Sequence, residues 1–189
     1  MFVRLTGCPL RCHYCDTAYA FHGGAWWSID DILAEVASHG ARHVCVTGGE
    51  PLAQKRCLQL LAKLCDAGYG VSLETSGAID IAGVDPRVSR VLDIKTPGSG
   101  EVERNLWANL PLLTPRAQVK FVLCSRADVD WAKAVVAEHR LHEVCDVLFS
   151  PSASQLPARE LADWIVAERL PVRFQVQLHK ILWNDEPGR

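Results

Sequence analysis

The sequence lacks several features that would assign it to a nucleic-acid partner or to a membrane. No run of Lys or Arg exceeds two residues and the formal net charge is -2, so the basic footprint of a nucleic-acid-binding protein is missing. No apolar stretch approaches the roughly 20 residues that cross a bilayer, and the first residues do not have the layout of a signal peptide. We therefore expect a cytoplasmic protein whose substrate is a small molecule.

Linkers, internal repeats and low-complexity tracts are also missing from the 189 residues. Hydrophobic residues make up 49% and charged residues 22% of the chain, which is ordinary for a globular protein and argues against disorder or a coiled coil. A chain of this length can bury a substantial core. We expect one domain that spans residues 1–189.

Cysteine is not abundant enough for a disulfide-dense secreted fold, but its distribution is uneven. The chain has 8 cysteines, and in a reducing compartment clustered cysteines usually bind metal or react. Three of them, Cys8, Cys12 and Cys15, share one short segment. The others are scattered and are expected to behave as small core residues: Cys45, Cys57, Cys65, Cys124 and Cys145.

Short β-branched runs alternate with helical patterns along the chain. Most runs are apolar at successive positions, which favours parallel strands covered on both faces. The predicted strands are Phe2–Leu5, His43–Val46, Val71–Glu74, Arg90–Ile94, Gln118–Leu123, Cys145–Phe149 and Val172–Gln177. The predicted helices lie between Ser28 and Gly40 and at about Gln54–Ala67, Val102–Asn109, Asp128–Glu138 and Ala158–Glu168.

Repeated strand-helix-strand units predict an α/β fold with ligands at the C-terminal ends of the strands. A full eight-unit barrel typically needs about 250 residues, so the chain is too short for one. We expect an open or partial (β/α)6 barrel of mainly parallel strands.

The first candidate motif has three cysteines at the spacing C-x3-C-x2-C, in a loop that follows the first predicted strand. Thiolates are the usual ligands of Fe–S clusters, and a loop this short can wrap one cubane. Three ligands leave one iron open for catalysis, whereas a fully ligated cluster would only carry electrons. The alternative is a zinc site completed by His13 or by a remote ligand.

The second candidate motif is Val46-Thr47-Gly48-Gly49-Glu50-Pro51, between a predicted strand and a predicted helix. Two glycines let the backbone approach a ligand closely, and the adjacent carboxylate can accept a hydrogen bond from an ammonium group. Taken alone, the same residues also suit an ordinary strand-to-helix turn.

The two motifs together resemble the radical S-adenosylmethionine superfamily. The resemblance implies that the open iron chelates the methionine end of the cofactor, and that the Gly48-Gly49-Glu50 strand end binds its amino group. An electron from the cluster then cleaves the sulfonium, and the resulting 5'-deoxyadenosyl radical abstracts a substrate hydrogen. Tyr14 matches the aromatic residue that lies against the adenine. Further cofactor contacts are implied for Asp16, Asp93, Lys95 and Ser150.

Narrower signals resemble the 7-carboxy-7-deazaguanine synthase family, which contributes to queuosine and other 7-deazapurines. They are Phe2 to Cys8, Cys15-Asp16-Thr17, Glu74 to Gly77, Asp93 to Pro97 and Gln177 to Lys180. The resemblance implies that 6-carboxy-5,6,7,8-tetrahydropterin loses ammonia and contracts to 7-carboxy-7-deazaguanine, with the cofactor radical regenerated after each turnover. The family often has Ser-Pro-Lys where this chain has Asp93-Ile94-Lys95, which leaves the contacts there open.

The same resemblance implies further ligands and partners. Thr17 stands at the family's magnesium position, and a hydroxyl oxygen suits that cation, although Thr17 could also cap the next segment. Arg4, Thr47, Glu74 and His179 stand at substrate-contacting positions, with His179 expected to close the last strand. An electron donor such as flavodoxin or ferredoxin and a homodimer are implied as well.

Relatives in this family have a further segment before the first strand, with a Gln-Gly-Glu-Gly stretch that helps to hold the pterin. We expect the start codon at Met1 to be internal to a longer reading frame, and the alternative is a natural truncation that lacks this part of the substrate site. Two other functions remain open from the residues. One is an activating enzyme of the same superfamily that installs a glycyl radical in a partner protein, and the other is a non-catalytic zinc or electron-transfer module.

Overall fold

The computed structural model describes residues 1–184 and 186, and its centre is a parallel sheet of seven strands. The strands are β1 (Phe2–Leu5), β2 (His43–Gly48), β3 (Gly70–Thr75), β4 (Ser89–Asp93), β5 (Gln118–Leu123), β6 (Asp146–Pro151) and β7 (Arg173–Phe174). They lie in chain order, so that β1 and β7 form the two edges and the sheet is not closed. The predicted α/β fold with an open parallel sheet is confirmed, with seven strands instead of about six.

The described residues form six α-helices, of which the first five lie between strands and the sixth follows β7. They are α1 (Ile29–Ser38), α2 (Cys57–Asp66), α3 (Arg126–Glu138), α4 (Leu141–Val144), α5 (Ala158–Ala167) and α6 (Leu178–Trp183). The start of α1 follows from a capping box, in which the Asp31 N–H donates to Ser28 Oγ (3.0 Å) and the Ser28 N–H donates to the Asp31 carboxylate (3.3 Å). It ends before Gly40, whose φ is +61°.

The two faces of the sheet differ in chemistry. On β5, Val119, Phe121 and Leu123 are fully buried, while the alternating Lys120 and Val122 line a cavity. On β2 and β3 apolar buried residues likewise alternate with polar ones, so that one face forms the apolar core and the other presents polar side chains. The sequence predicted strands that are covered on both faces, and in the structure one of the two faces instead carries polar side chains that line the cavity.

The predicted helix at Val102–Asn109 is wrong. The segment instead forms 3-10 turns at Val102–Arg104 and Trp107–Leu112. The Asn105 side chain bonds both the N–H and the carbonyl of Lys95 (2.8 Å each), and Asn109 accepts from the Ile81 N–H (3.1 Å). These long-range bonds hold the backbone in a non-helical path that local propensity does not predict.

The predicted last strand is much shorter than expected. Its pairing with β6 ends soon after Phe174, where the Gln175 N–H donates to Phe149 O (3.0 Å). The chain then turns into α6, so His179 lies in a helix and not at the end of a strand. The prediction of its local structure is thus corrected, although His179 still lines the cavity.

Candidate active site

A cavity of about 550 Å³ lies at the C-terminal ends of the strands, where a parallel α/β sheet usually binds its ligands. It gathers side chains that are distant in sequence. The predicted site residues that line it are Arg4, Cys8, Cys12, Tyr14, Cys15, Asp16, Thr17, Thr47, Gly48, Gly49, Glu74, Asp93, Lys95, Ser150 and His179. The structure therefore brings together every predicted site residue except Glu50.

The loop that carries the three clustered cysteines is held in place by its own backbone contacts. The Gly7 N–H donates to Ala20 O (2.8 Å) and the His13 N–H donates to Ser99 O (3.0 Å). The Arg11 guanidinium donates to the carbonyls of Cys8 (2.8 Å) and Leu10 (2.6 Å). These hydrogen bonds hold the loop that carries the three thiols.

The chemistry of these thiols fits an Fe–S cluster. All three are half-buried and free of disulfides. Burial raises the pKa of Cys8, and it raises that of Cys12 to about 11, against the opposing pull of Lys95. Cluster assembly must therefore displace protons from these thiols. Among residues 1–184 and 186, no group of three His, Cys, Asp or Glu side chains is arranged to hold a single metal ion. A 4Fe–4S cubane does not need such a group, because each thiolate binds a different iron.

The Gly48-Gly49 step at the end of β2 packs directly against the start of the cysteine loop. The Gly49 N–H donates to Leu5 O (3.0 Å) and the Glu50 N–H donates to Gly7 O (2.8 Å). A Cβ at Gly48 would lie 1.9 Å from Leu5 O, and one at Gly49 would lie 2.3 Å from Gly7 O. Both positions therefore require glycine for close backbone packing, whether or not a ligand is bound.

Glu50 lies behind the cavity wall, with none of its side chain accessible to solvent. Its carboxylate accepts from the N–H and hydroxyl of Ser76 (2.7 and 2.5 Å), the hydroxyl of Thr75 (2.9 Å) and the N–H of Leu52 (2.9 Å). These donors satisfy a buried charge that would otherwise be costly. In this structure Glu50 ties the end of β2 to the end of β3, and its side chain does not reach the cavity.

Alternating charges cross the cavity floor from β3 to β5. Lys95 Nζ lies 3.0 Å from Asp93 Oδ2, and Lys120 Nζ lies 3.8 Å from the same oxygen and 3.6 Å from Glu74 Oε2. Burial acts to lower the pKa of both lysines, but the neighbouring carboxylates outweigh it and leave both pKa values raised. The floor therefore keeps two cations at neutral pH.

Two buried polar atoms of the cavity wall have no hydrogen-bond partner in the described part of the chain. They are the Tyr14 hydroxyl and Asp93 Oδ1. Burial, with the nearby Asp93 carboxylate, raises the pKa of Tyr14, so the phenol stays neutral. Lys95 Nζ lies 5.9 Å from the centre of the Tyr14 ring. Buried polar atoms without a hydrogen-bond partner, next to a neutral aromatic ring, suit a ligand that has both a ring and polar groups.

The rim of the cavity joins the two ends of the chain. Asp16 Oδ1 accepts from the Thr17 hydroxyl (2.7 Å), and Asp16 Oδ2 accepts from the Gln177 amide. His179 Nε2 lies 4.0 Å from that second oxygen. Nearby, the Arg4 guanidinium lies over the ring of Tyr19, at 5.6 Å from its centre.

Sequence reasoning missed several residues that line the cavity, namely Tyr19, Thr75, Ser76, Lys120 and Gln177. Thr75, Ser76 and Gln177 belong to segments that carried the family resemblance, but no role was expected for them. Lys120 could have been found because it is the one charged residue of β5. In contrast, none of the five scattered cysteines lines the cavity.

Comparisons of the sequence with known proteins agree with one another. The family model described as the Radical SAM superfamily matches residues 2–93. A 7-carboxy-7-deazaguanine synthase from Chlorobaculum tepidum is 46% identical over 188 residues, which is 98% of this chain and 86% of the relative. Another, from Koribacter versatilis, is 38% identical over 98% of this chain and 89% of the relative.

Solved structures show the same fold at lower identity. The crystal structure of QueE from Escherichia coli superposes with a TM-score of 0.73 at 23% identity, over 93% of this chain and 84% of that one. Streptococcus suis SuiB bound to S-adenosylmethionine gives a TM-score of 0.65 at 13% identity, over 93% of this chain and 49% of that one. Over the residues described, no helix has the length and apolarity needed to cross a membrane.

Proposed function

Because the chain belongs to the 7-carboxy-7-deazaguanine synthase family of radical S-adenosylmethionine enzymes, we propose that it converts 6-carboxy-5,6,7,8-tetrahydropterin to 7-carboxy-7-deazaguanine with loss of ammonia. Membership in this family makes the chain an enzyme that uses a 4Fe–4S cluster and S-adenosylmethionine. When bound, these two groups supply the radical chemistry that abstracts hydrogen from the substrate.

The observation that carries the proposal is the position of the three loop thiols. Cys8, Cys12 and Cys15 line the same cavity as the ends of strands β2 to β6, so a cluster held there faces the substrate space directly. The protein's own contribution is to position the ligands and to exclude solvent. A non-catalytic zinc or electron-transfer module would have no use for a cavity of this size that charged and polar side chains help to line.

Several cavity residues would hold S-adenosylmethionine in this proposal. The Tyr14 ring would lie against the adenine, and the backbone of Gly48 and Gly49 would take the amino group. Glu50 would support that backbone from behind, because its carboxylate is occupied by Ser76 and its neighbours. Polar contacts would come from Asp16, Asp93, Lys95 and Ser150, with Asp93 Oδ1 offering a buried acceptor that no described residue uses.

The substrate would lie on the side of the cavity formed by β1, β2 and β3. Arg4 and Thr47 are register partners on adjacent strands and both line the cavity. A guanidinium can bind the substrate carboxylate through two parallel hydrogen bonds. Glu74 and His179 would contact the remaining polar groups of the pterin from opposite sides of the opening.

Magnesium would bind at Thr17, beside the substrate. The Thr17 hydroxyl lines the cavity and donates to the Asp16 carboxylate at 2.7 Å, and a hydroxyl oxygen is of the kind that magnesium prefers, which supports this proposal. A reduced flavodoxin or ferredoxin would supply electrons, and we propose a homodimer in the cytoplasm.

An anaerobic assay tests the proposal. The reconstituted chain should convert the tetrahydropterin, with dithionite, magnesium and S-adenosylmethionine, to 7-carboxy-7-deazaguanine and ammonia in equal amounts. A Cys12→Ala variant is the matched control and should yield neither product. Glycyl-radical formation in a partner protein without turnover of the pterin would instead support the activating-enzyme alternative, and zinc without iron and sulfide would support the non-catalytic one.

A further inference from the structure

A hydrogen bond between two side chains bridges the open side of the sheet. Asp16 follows directly after Cys15, on the loop that leaves edge strand β1. Gln177 lies 161 residues later, on the segment that leaves the other edge strand, β7. Because β1 and β7 do not pair, the hydrogen bond from the Gln177 amide to Asp16 Oδ2 spans the opening between the two edges.

Helix α6 follows Gln177 immediately and has little apolar packing of its own. It buries no residue, and Leu178, Ile181 and Leu182 are 62%, 64% and 60% exposed. Nevertheless Leu178, His179 and Leu182 line the cavity. The position of this wall therefore depends on polar contacts at its start more than on burial of apolar surface.

The Asp16 carboxylate is well placed to couple α6 to the cysteine loop. Its Oδ1 is held by Thr17 at 2.7 Å, which leaves Oδ2 directed to Gln177, with His179 Nε2 at 4.0 Å. A hydrogen bond to a carboxylate is stronger than one between neutral groups. One side chain thus contacts both the proposed magnesium ligand and the segment that carries His179.

We propose that Gln177 is a positioning residue, which latches α6 to Asp16 across the open side of the cavity and thereby fixes His179 against the cluster loop. The catalytic consequence of this contact rests on the proposed function. A fixed α6 narrows the opening of the cavity, holds the pterin and limits cleavage of S-adenosylmethionine that is not followed by product formation. The latch itself is a property of the folded chain and can be measured without turnover.

Hydrogen exchange of residues 176–183 in the reconstituted holoenzyme tests the latch. A Gln177→Met variant keeps the side-chain length but loses the donor, so exchange should become faster by roughly tenfold or more, the factor expected for one hydrogen bond to a charged group. A Gln177→Lys variant restores a donor and should return exchange towards that of the wild type. Gln59→Met, at an exposed position of α2, is the matched control and should leave the exchange of residues 176–183 unchanged.

A double-mutant cycle separates the latch from a general loss of structure. Asp16→Ala and Gln177→Met should each accelerate exchange, and the double variant should be no faster than the faster single variant. Additive effects, or unchanged exchange in Gln177→Met, would overturn the proposal. Iron content and the visible spectrum should stay the same in the Gln177 variants.

Kinetics then test the catalytic consequence. Gln177→Met should raise the KM for the pterin several-fold more than it lowers kcat, and it should raise the ratio of 5'-deoxyadenosine to product. Gln177→Lys should reverse both effects. If the wild type makes no product from the pterin, the proposed function fails, while the exchange results still decide whether the latch exists.

Discussion

Replacement of Gly49 by alanine should weaken the attachment of the cysteine loop to the sheet. The new Cβ would lie 2.3 Å from Gly7 O, 2.7 Å from Gly7 C and 2.8 Å from Cys8 Cβ. These neighbours are backbone atoms or the first atom of a side chain, so rotation of a flexible group cannot relieve the contacts. The backbone must shift, at the expense of the bonds from the Gly49 N–H to Leu5 O and from the Glu50 N–H to Gly7 O.

The magnitude follows from these contacts. Overpacking costs about 1–3 kcal/mol and each lost backbone hydrogen bond about 0.5–1.5 kcal/mol. Alanine also lowers the conformational entropy of the unfolded chain, which stabilises the folded state by about 0.4–1 kcal/mol. The free energy of unfolding of Gly49→Ala should therefore fall by about 1–5 kcal/mol relative to the wild type.

Gly83→Ala is the matched control, because its nearest neighbour is the flexible tip of Leu58 at 2.9 Å. Anaerobic urea unfolding of both variants measures the stability, and iron content after reconstitution reports whether the loop still holds the cluster. Gly83→Ala should stay within about 0.5 kcal/mol of the wild type. If Gly49→Ala also stays within that range and binds a full complement of iron, the close-packing argument is refuted.

Three further sets of substitutions test other parts of the site. Alanine at any one of the three loop cysteines should abolish cluster formation, which is measured by iron content, sulfide content and visible absorption. The control variants Cys45→Ala and Cys124→Ala should keep the cluster. An equal loss of the cluster in either control would contradict the ligand assignment. Thr17→Ala should keep its cluster, but magnesium should no longer stimulate its turnover, whereas Thr17→Ser should still be stimulated. An unchanged response of Thr17→Ala to magnesium would contradict the proposed metal site. Glu50→Gln should lower the free energy of unfolding by about 1.5–3 kcal/mol, because the new amide NH2 would face the N–H and hydroxyl donors of Ser76. Glu103→Gln, at an exposed position, should leave the free energy of unfolding unchanged.

The sheet could be predicted from the sequence because most strands lie in short apolar runs that contain β-branched residues, and each of the seven predicted strands overlaps an observed one. Its cavity face was harder to predict. Lys120 sits in a run that is otherwise mostly apolar, and only the alternation of side chains across the strand shows that it points into the cavity.

The candidate site was predictable where neighbouring residues carry the chemistry, as in the cysteine loop. It was not predictable where a side chain depends on a distant partner. Glu50 was predicted to contact the cofactor, and the sequence does not show that the hydroxyls of Thr75 and Ser76 also bind its carboxylate. His179 was expected at the end of a strand, and its helical position depends on a segment that is held by Asp16, far away in sequence.

The number of product molecules formed per molecule of S-adenosylmethionine tests the central claim most directly. The family resemblance implies that the cofactor radical is regenerated after each turnover, so a limiting amount of cofactor should support many rounds. We predict that the reconstituted chain, given excess 6-carboxy-5,6,7,8-tetrahydropterin, forms more than one molecule of 7-carboxy-7-deazaguanine per S-adenosylmethionine. Cleavage of the cofactor to 5'-deoxyadenosine with no 7-carboxy-7-deazaguanine, at any pterin concentration, would contradict the account.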